Sequence, residues 1–200
     1  MRIAVLAVQG AFIEHEHILQ RLGAECVELR KVSDLRGGFD GLILPGGEST
    51  VQGKLLRELH MFDALKEMIT SGTPVMGTCA GLILLAEHLS NDTNAYFGTL
   101  PITVQRNAYG RQLGSFSASA YVQGLPEGGE EFPLEFIRAP YISGIYDHEN
   151  VTPIVTIPKM PDGSEGQNVV GVRCQNQIGL AFHPELTKDN RCHKMFLDLC

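Results

Sequence analysis

Apolar residues in the first half of the chain fall into two alternating kinds of run. "RIAVLAV", "GLILP" and "PVMGT" are short and almost continuously apolar, as strands covered on both faces are. Between them lie segments with helical spacing, from about Phe12 to Leu22, from Thr50 to Ser71 and from Ala80 to His88. "AECVELR" reads as a further strand. Buried strands alternating with helices predict a parallel sheet with helices on both faces. From Ile102 onward, branched and aromatic residues broken by turn formers predict extra strands, in part antiparallel. The polar stretch "PKMPDGSEGQN" (158–168) reads as an exposed loop, and Asn190 to Leu199 as a last helix. No repeat, heptad pattern or linker divides the chain. Residues 1–200 are therefore expected to form one open, mostly parallel α/β domain.

Open α/β sheets bind ligands beyond the carboxyl ends of their strands, and three motifs stand there. Gly77-Thr78-Cys79-Ala80-Gly81 follows "PVMGT" with the spacing of a nucleophile elbow, cysteine replacing serine. A buried packing cysteine is the plain alternative, because free cysteine is among the most buried residue types. "IGLAFHPEL" supplies a base and an orienting group. His183 and Glu185 are two places apart, so an extended backbone projects both side chains to one side. Pro184 favours that extended geometry at His183. Gly46 and Gly47 in "LPGGEST" allow backbone N–H groups to approach a substrate, so one of them and the N–H of Ala80 could form an oxyanion hole. Each motif alone has an ordinary structural explanation; three together at strand ends point to nucleophilic catalysis. The other histidines have weaker claims as the base: His15 and His17 on a helix, His60 and His88 near helix ends, His148 in a polar turn, and His193 beside Cys192 in the last helix.

Composition narrows the classes. A net charge of −7 without any basic run argues against a nucleic-acid partner and against an anionic membrane surface. No apolar stretch is long enough to span a bilayer, and "MRIAVLAVQGAF" breaks too early for a signal peptide. Five cysteines without a CxxC pair suit a reducing cytoplasm better than a disulfide framework or a zinc site.

Together, "LAVQGAFIEH", "GLILPGGEST", "GTCAGLILLA", "RNAYGRQLGSF", "FIRAP" and "FHPELT" resemble class I glutamine amidotransferases, and within them the glutaminase subunits of pyridoxal 5′-phosphate synthases. The resemblance runs over nearly the whole chain. It implies a Cys79-His183-Glu185 triad that hydrolyses the side-chain amide of L-glutamine through a glutamyl thioester. Gly46, Gly47, Glu48, Ser49, Ala80, Arg106, Ile137 and Arg138 are then the substrate-binding positions. An arginine would hold the α-carboxylate and Glu48 would face the α-amino group, with the choice between Arg106 and Arg138 open. The resemblance further implies a hetero-oligomer with a synthase subunit, and neither metal nor bound cofactor. Gln9, Gly10 and His15, near the end of the first strand, are the expected docking region. Departures lie away from the chemistry: Val51 where another threonine is expected, a longer segment from Ser143 to Gln167, and an early end after the last helix. Two other readings remain. A peptidase or stress protein of the wider superfamily commonly has histidine where this chain has Ala80, and a non-catalytic regulatory subunit would be expected to have lost a triad member.

Overall fold

The alternation in the first half is realised element by element. In the computed structural model, which describes residues 1–107, 115–126, 129–159 and 165–200, β1 (Arg2–Leu6) is followed by α1 (Phe12–Arg21), β2 (Glu25–Leu29), β3 (Gly41–Leu44), α2 (Ser49–Glu58), α3 (Phe62–Thr70), β4 (Val75–Thr78) and α4 (Ala80–Leu85). The second half is mostly strand: β5 (Ala86–Leu89), β6 (Leu100–Gln105), β7 (Ser115–Ala120), β8 (Phe132–Ile137), β9 (Tyr141–Ile145), β10 (Val151–Lys159), β11 (Glu165–Cys174) and β12 (Gln177–Leu180), before α5 (Arg191–Leu197).

Seven strands make the main sheet, in the order β10-β11-β12-β4-β3-β1-β2. From β12 to β2 all pairings are parallel, and β11 and β10 extend the edge antiparallel. All four residues of β3 and all four of β4 are buried, which is why neither run alternates with polar residues. The chain leaves β1 toward one edge and later passes from β3 toward the other, so right-handed crossovers put α1 on one face and α2 and α3 on the opposite face. α4 packs against α2, and α5 meets α1 through a contact between His15 and His193. The remaining strands form a three-stranded sheet, β5-β6-β9, and an antiparallel β7-β8 pair.

Four expectations need correction. The helical stretch from Thr50 to Ser71 is two helices, broken where His60 takes a positive φ of 55°. The helix expected from Ala80 to His88 ends at Leu85, because Ala86–Leu89 turns away to pair with β6. Much of 158–168 is strand, since β10 runs to Lys159 and β11 starts at Glu165; residues 160–164 lie outside the described residues. The last helix covers Arg191–Leu197 rather than Asn190–Leu199.

Candidate active site

Cys79 lies between β4 and α4 with φ 48° and ψ −98°, a conformation L-residues rarely adopt. Its N–H donates to the Leu180 carbonyl at 2.8 Å and its carbonyl accepts from Ile83 N–H at 3.2 Å, so neighbours on both sides hold the strain in place. The small residues around it are a steric requirement. A Cβ on Gly81 would stand 2.0 Å from the Leu44 carbonyl oxygen, and one on Gly77 would stand 2.7 Å from the backbone of Gly81. Only such a crowded turn brings α4 down onto β3 and β4 while lifting residue 79 above the strand ends. Cys79 is nevertheless 7% exposed, so a reagent reaches its sulfur only by way of the adjoining cavity.

His183 and Glu185 follow β12, the strand beside β4. The extended backbone expected at both residues holds only as far as His183 (φ −110°, ψ 85°); Pro184 opens a 3-10 turn over Pro184–Leu186. The turn still places both side chains together: His183 Nδ1 lies 2.7 Å from Glu185 Oε1. His183 N–H donates to the Glu135 carbonyl at 2.8 Å, anchoring the ring's backbone to β8. Burial disfavours charge on the His183 ring, but Cys79 and the Glu185 carboxylate outweigh it and push the pKa up to about 10. Nε2 makes no formal hydrogen bond among the described residues, so Cys79 acts on the ring electrostatically. Burial raises the pKa of Glu185, and His15 and His183 more than reverse that, leaving it below the ordinary carboxylate value.

A cavity of about 280 Å³ opens beside Cys79. Gly10, Gly46, Gly47, Glu48, Ser49, Arg106, Ile137, Arg138 and His183 line it, together with Ile83 and Leu186, which the motifs did not single out. Leu186 follows directly from the His-Pro-Glu turn, and Ile83 stands four residues after Cys79 on α4; neither position has a sequence signal of its own. Arg138, itself at a positive φ of 44°, pairs with Glu48 across the mouth. Arg106 is already engaged by Asp92 and by the Thr50 hydroxyl, the latter at 2.8 Å. Arg138 is thus the arginine that faces Glu48. Ala80 is fully buried and outside the lining residues.

The loop after β3 is braced from the β1 end. Ala11 N–H donates to the Gly46 carbonyl at 3.0 Å, and Glu48 N–H donates to Gln9 Oε1 at 2.8 Å. Gly10 is exposed beside these contacts. His15 is not: it is fully buried, with Nε2 3.3 Å from Thr78 Oγ1 and 3.4 Å from Glu185 Oε2. A surface role for His15 in docking is therefore corrected to an interior one. Sequence reasoning also set His193 aside, whose Nε2 lies 2.9 Å from His15 Nδ1. A signal for His15 was present, since His15, Ile18 and Leu19 fall at i, i+3 and i+4 on the buried stripe of α1.

A strained cysteine elbow, a histidine-glutamate pair and a paired acid and arginine over one cavity are the parts an amide-transferring enzyme needs. The chain belongs to the SNO glutamine amidotransferase family, whose model matches residues 5–200. More particularly, it is similar to the pyridoxal 5′-phosphate synthase subunit PdxT of Desulfitobacterium hafniense, at 59% identity over 198 residues, covering 99% of this chain and 92% of that protein. It is also similar to the pyridoxal 5′-phosphate synthase subunit PdxT of Bifidobacterium longum, at 50% identity over 197 residues and 98% of each chain. Among solved structures, a crystal structure of a glutamine amidotransferase matches with a TM-score of 0.86 at 40% identity, over 98% of this chain and 97% of that one.

Proposed function

We propose that this chain hydrolyses L-glutamine to L-glutamate and ammonia with Cys79, His183 and Glu185, and that the ammonia goes to a pyridoxal 5′-phosphate synthase subunit in a hetero-oligomer. The observation that carries the reading is the junction of Cys79, held at its strained elbow, with a buried His183-Glu185 pair.

The proton shared by Cys79 and His183 rests on Nε2, where the raised pKa of the ring keeps it, as Cys79 Sγ attacks the amide carbon. Glu185 accepts from Nδ1–H and so fixes the orientation of the ring. The amide oxygen becomes an oxyanion, received by the N–H of Ala80 and one from the Gly46-Gly47 loop. His183 then protonates the amide nitrogen, the C–N bond breaks, and ammonia leaves a γ-glutamyl thioester on Cys79. Water attacks this thioester with His183 again as base, and glutamate departs. At the mouth, Arg138 and Glu48 neutralise one another, so a zwitterionic amino-acid head can replace that contact with two of its own: carboxylate on Arg138, ammonium on Glu48. Ile83 and Leu186 offer apolar contact to the side-chain methylenes. The regulatory-subunit reading is disfavoured by a complete triad, and the peptidase reading by Ala80 after the nucleophile. Five free cysteines fit a reducing cytoplasm.

The way the loop after β3 is held supports a coupling to the synthase. Neither Gly46 nor Gly47 has a positive φ, and the loop is tied to Ala11 and Gln9. A partner docking at Gln9 and exposed Gly10 can release those ties and turn a loop N–H toward Cys79. Gaining one such donor is worth roughly 10²–10³ in rate. Ammonia release from glutamine, measured with and without a cognate synthase subunit, tests both parts. The partner should raise kcat far more than it lowers KM, and Cys79→Ser should be inactive throughout. Equal kcat with and without partner overturns the coupling, and turnover by Cys79→Ser overturns the triad.

A further inference from the structure

Two buried imidazoles outside the triad stand in line with its carboxylate. Resting on the triad reading above, we infer that His15 is a positioning residue for Glu185, with His193 behind it, so that the carboxylate is gripped through one oxygen by the catalytic base and faced through the other by the first helix. Glu185 Oε1 lies 2.7 Å from His183 Nδ1, and Oε2 lies 3.4 Å from His15 Nε2. The second distance is long for a hydrogen bond, but Oε2 has no other donor among the described residues, and resting contacts of this kind tighten on substrate binding.

The tautomers follow from the surroundings. An ionised carboxylate only accepts, so a His15 that supports Glu185 carries its proton on Nε2, shared between Oε2 and Thr78 Oγ1 at 3.3 Å. Nδ1 of neutral His15 is then an acceptor, and the 2.9 Å contact requires His193 to donate Nε2–H. His193 Nδ1 is left as a bare acceptor, in keeping with its lack of a partner among the described residues. Both rings stay neutral. Burial lowers the pKa of His15 ahead of an opposing pull from Glu185, with His183 lowering it further and Glu14 on its own helix raising it. His193 is held well below the usual value by burial, His15 and Arg21. Those are the groups that face the pair from α1, β4, α5 and the His-Pro-Glu turn. Among the described residues no three His, Cys, Asp or Glu side chains are gathered as a metal-ligand set.

One donor on each oxygen stops the carboxylate from rotating away from His183 and helps keep it ionised in a dry site. His15→Leu removes the donor and His15→Gln keeps an N–H near the Nε2 position. With the synthase subunit present, His15→Leu should lower kcat on the order of 10–100-fold, by analogy with partners that orient metal-binding histidines, with KM for glutamine nearly unchanged. Losing a donor raises a carboxylate's pKa, so the acid limb of kcat/KM should move to higher pH. His15→Gln should recover most of the rate and return the limb. Separately, nitrogen NMR of the wild-type chain labelled at histidine should show His15 neutral at pH 6 with the proton on Nε2. That reading stands whether or not His15→Leu folds, and does not depend on turnover. A folded His15→Leu with wild-type kcat and acid limb, an equal loss in both variants with an unmoved limb, or a proton on His15 Nδ1 each overturns the assignment. Cys79→Ser is the separate control, since activity surviving there would remove the triad itself.

Discussion

Gly46 lies against the His183 ring, so that a Cβ at residue 46 would stand 2.3 Å from Cε1 and 2.9 Å from Nδ1. Gly46→Ala therefore has to push the base aside. A displacement of about 1 Å at a reacting group costs on the order of 10² in rate, so kcat should fall by that much while the chain stays folded. The Cβ of a Gly47→Ala variant meets the side-chain amides of Gln9 and Gln52 instead. It should leave the base in place and blunt only the activation by a synthase partner. Steady-state kinetics with circular dichroism on both variants checks the contrast; equal kcat losses would remove it.

Labelling should single out Cys79. Burial, with Glu16 nearby, pushes Cys26 up to about 11, and burial and Asp40 push Cys200 up to about 12. Burial also raises the thiols of Cys174 and Cys192. Thiolate is scarce at these four near neutral pH. A glutamine-like diazoketone, which the cavity admits, should modify Cys79 first, as read by peptide mapping. An adduct mainly on Cys192 or Cys200 with activity intact would remove Cys79 from the chemistry.

Glu48→Gln and Arg138→Gln each leave one end of the amino-acid head without its charged partner. Charge-assisted contacts of this kind are worth about tenfold or more in affinity. Both variants should raise KM for glutamine by that order, with kcat changed much less. Arg106→Gln should instead disturb the loop that carries Asp92, because its guanidinium is engaged there. A larger KM effect at Arg106 than at Arg138 would reverse the assignment.

Stability should peak near neutral pH. His15 and His193 have lowered pKa values when folded and titrate near 6.5 when unfolded. The unfolded state then binds more protons, so stability falls as pH drops below about 6.5. Glu185, also lowered, adds a loss of the same sign near the ordinary carboxylate value. His183 works the other way. With its pKa raised to about 10, its contribution is complete below about 6.5 and fades as pH rises toward 10. Thermal unfolding between pH 5 and 10 should show both slopes, and His193→Phe should flatten part of the acid one. A Tm that does not change between pH 7 and 5 would contradict the buried neutral pair.

The parts legible in the sequence are those set by local pattern and by small residues. β3 and β4 are continuous apolar runs because both faces are covered, and Gly77 and Gly81 flank Cys79 because nothing larger fits. The illegible parts depend on distant pairing. Nothing local stops the helix at Leu85; the reason is β6, fifteen residues on. Apolar spacing continues through Leu59 and Met61, hiding the break at His60. Turn formers in 158–168 disguise strand because that hairpin is half exposed. His15 reads from its helix as a weak candidate base or a surface docking residue, and neither fits, since its partners come from positions 78, 185 and 193.

The contact between His15 and His193 spans 178 residues of sequence, and this gives the site a place in time as well as in space. During synthesis the cysteine emerges early, and the base more than a hundred residues later. The ring that backs His15 comes later still, on the last helix. On the proposed reading, a growing chain thus carries the thiol unarmed while more than a hundred further residues are added. The backing of Glu185 comes later again, when α5 has emerged and settled against α1, so the contact that steadies the carboxylate forms only after the pair it supports has been made.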